Sequence, residues 1–199
     1  PRGTMRYGIF SDVHSNYEAM TAVLDAMKRE GIEEYLFLGD LVGYHANPNE
    51  VIDLVESLGC WKMVLGNHDA ACLDKTPLSS FSPPAADAIL WTRQHLNEKS
   101  CRFLGSLRLR EEIGDITLVH ASPFQSEEWH YLSVEEDLER NFRYFQGSAC
   151  FFGHVHRPFI AEQQPDGSAK ILPETEMVLN HGRRYLINAG SVGQPRDQN

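Results

Sequence analysis

Met63-Val64-Leu65-Gly66-Asn67-His68-Asp69 passes directly from an apolar run through a glycine to three polar side chains. A short continuous apolar run suits a strand buried on both faces, and the polar residues then lie just past its carboxyl end. The pattern recurs. Tyr7-Gly8-Ile9-Phe10 leads to Asp12-Val13-His14, and Tyr35-Leu36-Phe37-Leu38 to Gly39-Asp40. Further on, Ile116-Thr117-Leu118-Val119 leads to His120, and Cys150-Phe151-Phe152 to Gly153-His154-Val155-His156. Between the early runs, apolar residues repeat with a period of about 3.6 over Tyr17 to Arg29 and over Asn49 to Leu58, which predicts helices. Strand and helix alternate, so the first half reads as α/β with a largely parallel sheet. In such sheets the strand carboxyl ends open onto one crevice where ligands bind, and the donor segments all point there.

Other elements follow from local signals. Pro83-Pro84 starts a helix over Ala85 to Asn97. A second helix is expected over Val134 to Phe145, with Ser133 as its cap and Glu136 closing a capping box. From Phe159 onward short strands around turns such as Pro165-Asp166-Gly167 predict an antiparallel second sheet. With 199 residues, 42% of them hydrophobic, the chain suits one domain over residues 5–199. Pro1 to Thr4 read as a cloning remnant before a natural start at Met5.

A formal net charge of -10 disfavours general nucleic-acid binding, since the surface as a whole repels polyanions. The four cysteines, Cys60, Cys72, Cys101 and Cys150, form no Cys-x-x-Cys pair, and the N-terminus lacks a secretory pattern. Reduced thiols and a cytoplasmic location are expected. No apolar run approaches the roughly 20 residues needed to span a bilayer, so no membrane association is expected. No cysteine lies in a motif beside a histidine, which argues against a thiol nucleophile.

Any one donor segment arises by chance in many sequences; their recurrence at successive strand ends is what points to a metal site. Carboxylate, imidazole and amide oxygen suit borderline divalent ions such as Mn²⁺, Fe²⁺ or Zn²⁺, with no thiolate required. Two such ions would outweigh two ligand aspartates, making the site locally cationic in an acidic protein.

In this order the segments at Asp12, Asp40, Asn67, His120 and His154, followed by Asn188-Ala189-Gly190-Ser191-Val192-Gly193-Gln194-Pro195-Arg196, resemble the calcineurin-like metallophosphoesterase superfamily. Within it the chain looks closest to the small bacterial phosphatases and phosphodiesterases related to diadenosine tetraphosphatase. The resemblance implies an α/β fold, a four-layer α/β/β/α sandwich of two mixed sheets flanked by helices. It implies that Asp12, His14 and His156 hold one divalent metal ion, that Asn67, His120 and His154 hold a second, and that Asp40 bridges them. Between two such ions a water becomes hydroxide near neutral pH, and this is the expected nucleophile. His68 is then left as proton donor to the leaving group, with Asp69 orienting it.

Departures from the family narrow the substrate. The protein Ser/Thr phosphatase branch carries arginines after its Gly-Asp motif, where this chain has Leu41-Val42-Gly43-Tyr44, and Ala70-Ala71 stands where that branch has a glutamate. Arg157 or Arg196 could supply a substitute cation. The family's Gly-Ser-Val-Gly-Gln-Pro-Arg stretch usually leads into further strands, whereas this sequence stops at Asn199. The expected partner is a small phosphate-ester or nucleotide substrate, and a homo-oligomer is left open. Competing readings are an inactive binding scaffold on the same fold and a phosphomonoesterase acting on phosphoproteins. Among the remaining histidines, His45 follows Asp40 closely enough to reach a substrate, and Trp129-His130-Tyr131 could belong to a covering loop. His95 and His181 read as surface residues.

Overall fold

The computed structural model describes residues 5–197; the expected remnant Pro1 to Thr4 and the final Asn199 lie outside the described residues. Strands β1 (Tyr7–Phe10), β2 (Glu34–Phe37) and β3 (Lys62–Met63) form a three-stranded sheet in that order, and the described pairings are parallel. Helices α1 (Tyr17–Arg29) and α2 (Pro48–Ser57) make the crossovers, and α3 (Asn67–Cys72), α4 (Pro83–His95) and α5 (Glu98–Ser106) follow. The second sheet has six strands: β4 (Arg110–Ile113), β5 (Ile116–Val119), β6 (Ala149–Phe152), β7 (Phe159–Gln163), β8 (Ala169–Leu172) and β9 (Tyr185–Asn188). Their order is β4-β5-β6-β9-β7-β8, with α6 (Glu135–Asn141) inserted between β5 and β6. β5, β6 and β9 run parallel, while β4, β7 and β8 pair antiparallel with their neighbours.

The helices over residues 17–29 and 49–58 lie where the periodicity placed them, to within a residue. Mixing of strand directions is confined to the second sheet. That sheet also begins at Arg110, well before Phe159, and takes in the strands at Ile116 and Cys150. Continuous apolar runs show burial on both faces but carry no label for the sheet they join, because pairing is a non-local choice. The expected capping box at Ser133 does not form. The helix begins at Glu135 after an extended Val134, no side chain caps it, and Ser133 stands one residue too early.

Three separate apolar cores make this a layered sandwich. Phe10, Tyr35 and Phe37 turn to one face of the first sheet and pack with Met20, Val51 and Ile89 of the helices. Alternate residues Ile9, Leu36 and Leu38 turn to the other face and meet Leu118 and Phe151 of the second sheet. The outer face of that sheet, with Cys150, Phe152 and Leu186, is covered by Leu138 and Phe142 from α6 and its C-terminus. Side chains of a strand alternate faces, so each central strand feeds two cores. Among the described residues no helix is long and apolar enough to cross a membrane.

The middle core joins the two sheets and fixes how their carboxyl ends meet. Leu118 is fully buried there. Leu118→Ala should cost about 2–5 kcal/mol in urea unfolding of the metal-loaded protein. A loss below about 1 kcal/mol would show that the sheets are not held together at this layer.

Candidate metal centre

The donor side chains all emerge just past strand ends, in tightly bent backbone. Asp12, His14, Asp40, His154 and His156 have φ between 50° and 63°, in the left-handed region. For residues with a Cβ this conformation costs about 1–2 kcal/mol each and persists only where surrounding contacts enforce it. Here the loops are laced together. Asp12 N–H donates to the Gly39 carbonyl (2.9 Å), His14 N–H to Asp40 (3.0 Å), and Gly153 N–H to His120 (2.9 Å). Glycines permit the close approach. A Cβ at Gly66 would collide with Asp40, and one at Gly153 with Ser11 and Asp12.

Three of the imidazoles are oriented in the same way. Nδ1 of His14 faces the Val42 carbonyl (3.1 Å), that of His120 the Leu38 carbonyl (2.8 Å), and that of His156 the Gln194 carbonyl (2.7 Å). A ring nitrogen against a carbonyl must carry the proton, so in the neutral rings Nε2 is left as a bare lone pair. Yet Nε2 of His14 and Nε2 of His156 stand 3.1 Å apart, and the latter is 3.1 Å from Asp12 Oδ1. That carboxylate contact is close but not aligned as a hydrogen bond, and Asp12 Oδ1 and His154 Nε2 are buried without any hydrogen-bond partner. Atoms that face a common point rather than each other leave room for a cation between them. Asp12, His14 and His156 have ligand atoms within 4.8 Å of one another, as do Asp12, Asp40 and His120, and also His14, Asp40 and His68. Asn67 Oδ1 lies 3.0 Å from His120 Nε2, and the His154 ring 5.1 Å from that of His120. The donor set therefore fits divalent metal ions, with all the expected donors in one buried cluster.

Electrostatics agree. Burial alone would raise Asp12, but the imidazoles of His14 and His156 close beside it hold its carboxyl well below the usual range. Asp40 is likewise held low against burial by the charge of His120 and His68. Burial works to depress His120, but the adjacent carboxylates Asp40 and Asp12 prevail and raise it to about 9. His14 also rises, the nearby carboxylates of Asp12 and Asp40 overcoming burial. Burial pushes His154 down to about 3 and His68 down to about 4. The cluster thus attracts positive charge; without a cation, protons on His14 and His120 supply it, and metal ions would displace them.

Asp69 departs from expectation. Its carboxylate accepts from the backbone N–H groups of Asp40 (2.9 Å), Gly66 (3.1 Å) and Val42 (3.1 Å), which ties the Asp40 loop to the start of α3. No hydrogen bond runs from it to His68, whose Nδ1 is buried and unpartnered. With three amides on its oxygens and no bond to His68, the Asp69 carboxylate ties down the Asp40 loop rather than aiming the imidazole. His68 instead packs against His14, Tyr44 and Phe81, with ring centroids 4.8, 4.7 and 5.1 Å away.

Above the cluster opens a cavity of about 710 Å³, with Asn67, His68 and His154 in its lining. Trp129 and Tyr131 form part of its wall and are packed there: Trp129 Nε1 donates to Thr76 Oγ1 (3.1 Å), and the Tyr131 ring lies 4.0 Å from that of His154. His130 turns away and stacks on Phe124. His45 does not face the cavity: its Nε2 bonds the Gly193 carbonyl (3.0 Å). Arg196 lines the cavity and Arg157 does not. Lys75 and Phe81 also line it, and no sequence signal singled them out. Burial pushes the Cys60 and Cys150 thiols up to about 12, so neither offers a thiolate.

A two-sheet sandwich with buried aspartates and histidines gathered where both sheets end, beneath an open polar cavity, defines a metal-binding phosphoester hydrolase. Residues 5–199 match the calcineurin-like phosphoesterase superfamily domain, and the chain belongs to that superfamily. It is a phosphoric ester hydrolase. An uncharacterised protein of Methanocaldococcus jannaschii is 42% identical over 193 residues, which is 95% of this chain and 76% of that protein. The crystal structure of a metallophosphoesterase from Sphaerobacter thermophilus is 36% identical and superposes with a TM-score of 0.83, covering 98% of this chain and 80% of that one. A candidate diadenosine tetraphosphatase, 19% identical, shares the fold at a TM-score of 0.59 over 96% of this chain and 85% of its own.

Asp69→Asn would set an amide donor against one of the backbone N–H groups. The variant should lose about 1–3 kcal/mol of stability, and metal content should fall with it as Asp40 loosens. Unchanged stability with a lower kcat alone would instead assign Asp69 to His68.

Proposed function

We propose that this protein hydrolyses small phosphodiesters and nucleotide-like phosphate esters using two divalent ions, Mn²⁺, Fe²⁺ or Zn²⁺. Asp12, His14 and His156 would hold one ion, Asn67, His120 and His154 the other, with Asp40 shared. The observation that carries the reading is the pair of imidazole lone pairs, on His14 and His156, aimed at each other beside an unpartnered Asp12 oxygen. Such ions, when bound, supply a water-derived nucleophile at neutral pH and draw charge from the phosphoryl oxygens.

The chain's own groups do the rest. His68 lines the cavity next to Asn67 and is the group suited to handing a proton to the leaving oxygen. Burial keeps it neutral in the free protein, at about 4. An anionic ester beside it would favour the imidazolium and raise that value, so the proton is recruited when substrate arrives. Phe81, Trp129 and Tyr131 offer apolar rings for a planar leaving group such as a nucleobase, and the cavity volume lies within the range of small-ligand sites. A reducing, cytoplasmic location is part of the same reading, supported by four cysteines that remain free.

Chelation should abolish hydrolysis and Mn²⁺ should restore it; full activity in metal-free protein would end this reading. In the metal-loaded enzyme, His68→Ala should keep its metal content and lose roughly 10²- to 10⁴-fold in kcat on esters with poor leaving groups, with much less effect on p-nitrophenyl esters. A fall in metal content would make His68 a ligand.

Leu41-Val42-Gly43-Tyr44 holds no arginine, and the one arginine lining the cavity among the described residues, Arg196, replaces only part of the cationic grip that a dianionic monoester needs more than a monoanionic diester. Bis(p-nitrophenyl) phosphate should therefore be cleaved at least comparably to p-nitrophenyl phosphate, compared as kcat/KM with one metal at one pH. A monoester preference above about 10²-fold, roughly 2.7 kcal/mol, would remove the diesterase part and leave the phosphoesterase.

A further inference from the structure

We propose that Arg196, working against Tyr44, is the residue that binds the non-bridging oxygens of the substrate phosphate. This rests on the phosphoesterase reading above and adds a residue to it. Arg196 lines the cavity together with Tyr44, Asn67, His68 and His154, although it lies far along the chain from the first four donor segments. Its backbone is held from both sides. The Arg196 N–H donates to the His156 carbonyl (3.0 Å), and its own carbonyl accepts from Arg157 Nε (3.1 Å). The preceding loop is bonded to candidate ligands as well: the Gln194 carbonyl accepts from His156 Nδ1 (2.7 Å), and Gly193 N–H (2.9 Å) and Ser191 Oγ (2.9 Å) both donate to the Asp12 carbonyl. The backbone from which the Arg196 side chain springs is therefore registered to the same residues that would hold the metal ions.

Its partners are ones an anion could displace. Arg196 Nη2 reaches Gln194 Oε1 at 3.3 Å, a long contact to a neutral oxygen. Tyr44 lines the same cavity as Arg196. Tyr44 is bulky yet sits in the left-handed region, with φ 61°, and its ring is wedged against His14 and His68 at 4.9 and 4.7 Å. Strain of this kind needs a compensating reason, and here it sets a phenol O–H and a guanidinium fork at one mouth. The fork suits phosphoryl oxygens, to which it can give two parallel N–H bonds. Arg157 is set aside because it does not line the cavity; its Nε bonds the Arg196 carbonyl instead. Lys75 is the other cation in the lining and the natural control.

The test uses the full, metal-loaded chain with Arg196→Gln, Arg196→Lys, Tyr44→Phe and Lys75→Gln. Metal content, competitive inhibition by inorganic phosphate, and kcat/KM for p-nitrophenyl and bis(p-nitrophenyl) phosphate are measured for each. Arg196→Gln should weaken phosphate inhibition by about 10- to 10²-fold and lower kcat/KM more for the monoester than for the diester, with metal content unchanged. Arg196→Lys should recover part of the loss, and Tyr44→Phe should show a smaller weakening in the same direction. Unaltered phosphate inhibition in Arg196→Gln, a loss that only follows metal content, or the larger effect in Lys75→Gln would overturn the assignment. Should the wild-type enzyme turn over neither ester, the proposed function fails, and calorimetric titration of inorganic phosphate into wild type and Arg196→Gln still decides the role of Arg196.

Discussion

The structure depends on crowding like groups together. Two imidazole nitrogens 3.1 Å apart, each with its lone pair exposed, and carboxylate oxygens a similar distance away, do not attract one another out of water. The arrangement is tolerable when positive charge stands among them, and the rest of the fold is organised to hold it ready. Left-handed backbone at Asp12, His14, Asp40, His154 and His156 adds conformational cost at the same place. What offsets these costs is remote: three apolar cores, with the middle one clamping the two sheets so that their ends cannot draw apart.

Backbone amides do the fine placement. The carboxylates of Asp12, Asp40 and Asp69 each accept from main-chain N–H groups: Asp12 from His154, Asp40 from His68, and Asp69 from three residues of its own and the neighbouring loop. All but the Gly66–Asp69 bond join the end of one strand to the end of another. A displacement at one donor is thus passed to the next, and the cluster behaves as one unit instead of a set of separable ligands. The same lacing reaches the C-terminal loop through Asp12 and His156, which brings cavity residues into register with the donors.

An acidic protein acting on anionic esters is consistent once distance is considered. A net charge of -10 spread over the surface is screened over roughly 8 Å at physiological ionic strength, while the donor cluster and the guanidinium at its mouth act at contact. The buried aspartates lower the energy of whatever cation enters, and that cation sets the local sign.

The donors themselves were legible in the sequence, because the chemistry resides in residue type and because apolar runs mark the strand ends that carry them. Sheet membership was not: the strands at Ile116 and Cys150 have the composition of the early ones, and only pairing with β4 and β9 assigns them to the second sheet. Six-residue α3 follows a glycine with no side-chain cap, whereas α5 carries an Asn97 cap and an apolar face that the sequence reading passes over. Asp69 reads in the sequence as orienting His68 and not as a clamp on Asp40, since two of its partners come from a loop almost thirty positions earlier. The cavity wall was only partly legible: Arg196, Trp129 and Tyr131 stand out in the sequence, but Lys75 and Phe81, both in the connection between α3 and α4, do not. By itself the sequence determined which groups exist and in what order they meet the sheet ends. Only the tertiary structure decided which nitrogen of each imidazole faces inward, because that choice belongs to the carbonyls of Val42, Leu38 and Gln194, placed beside His14, His120 and His156 by long-range packing.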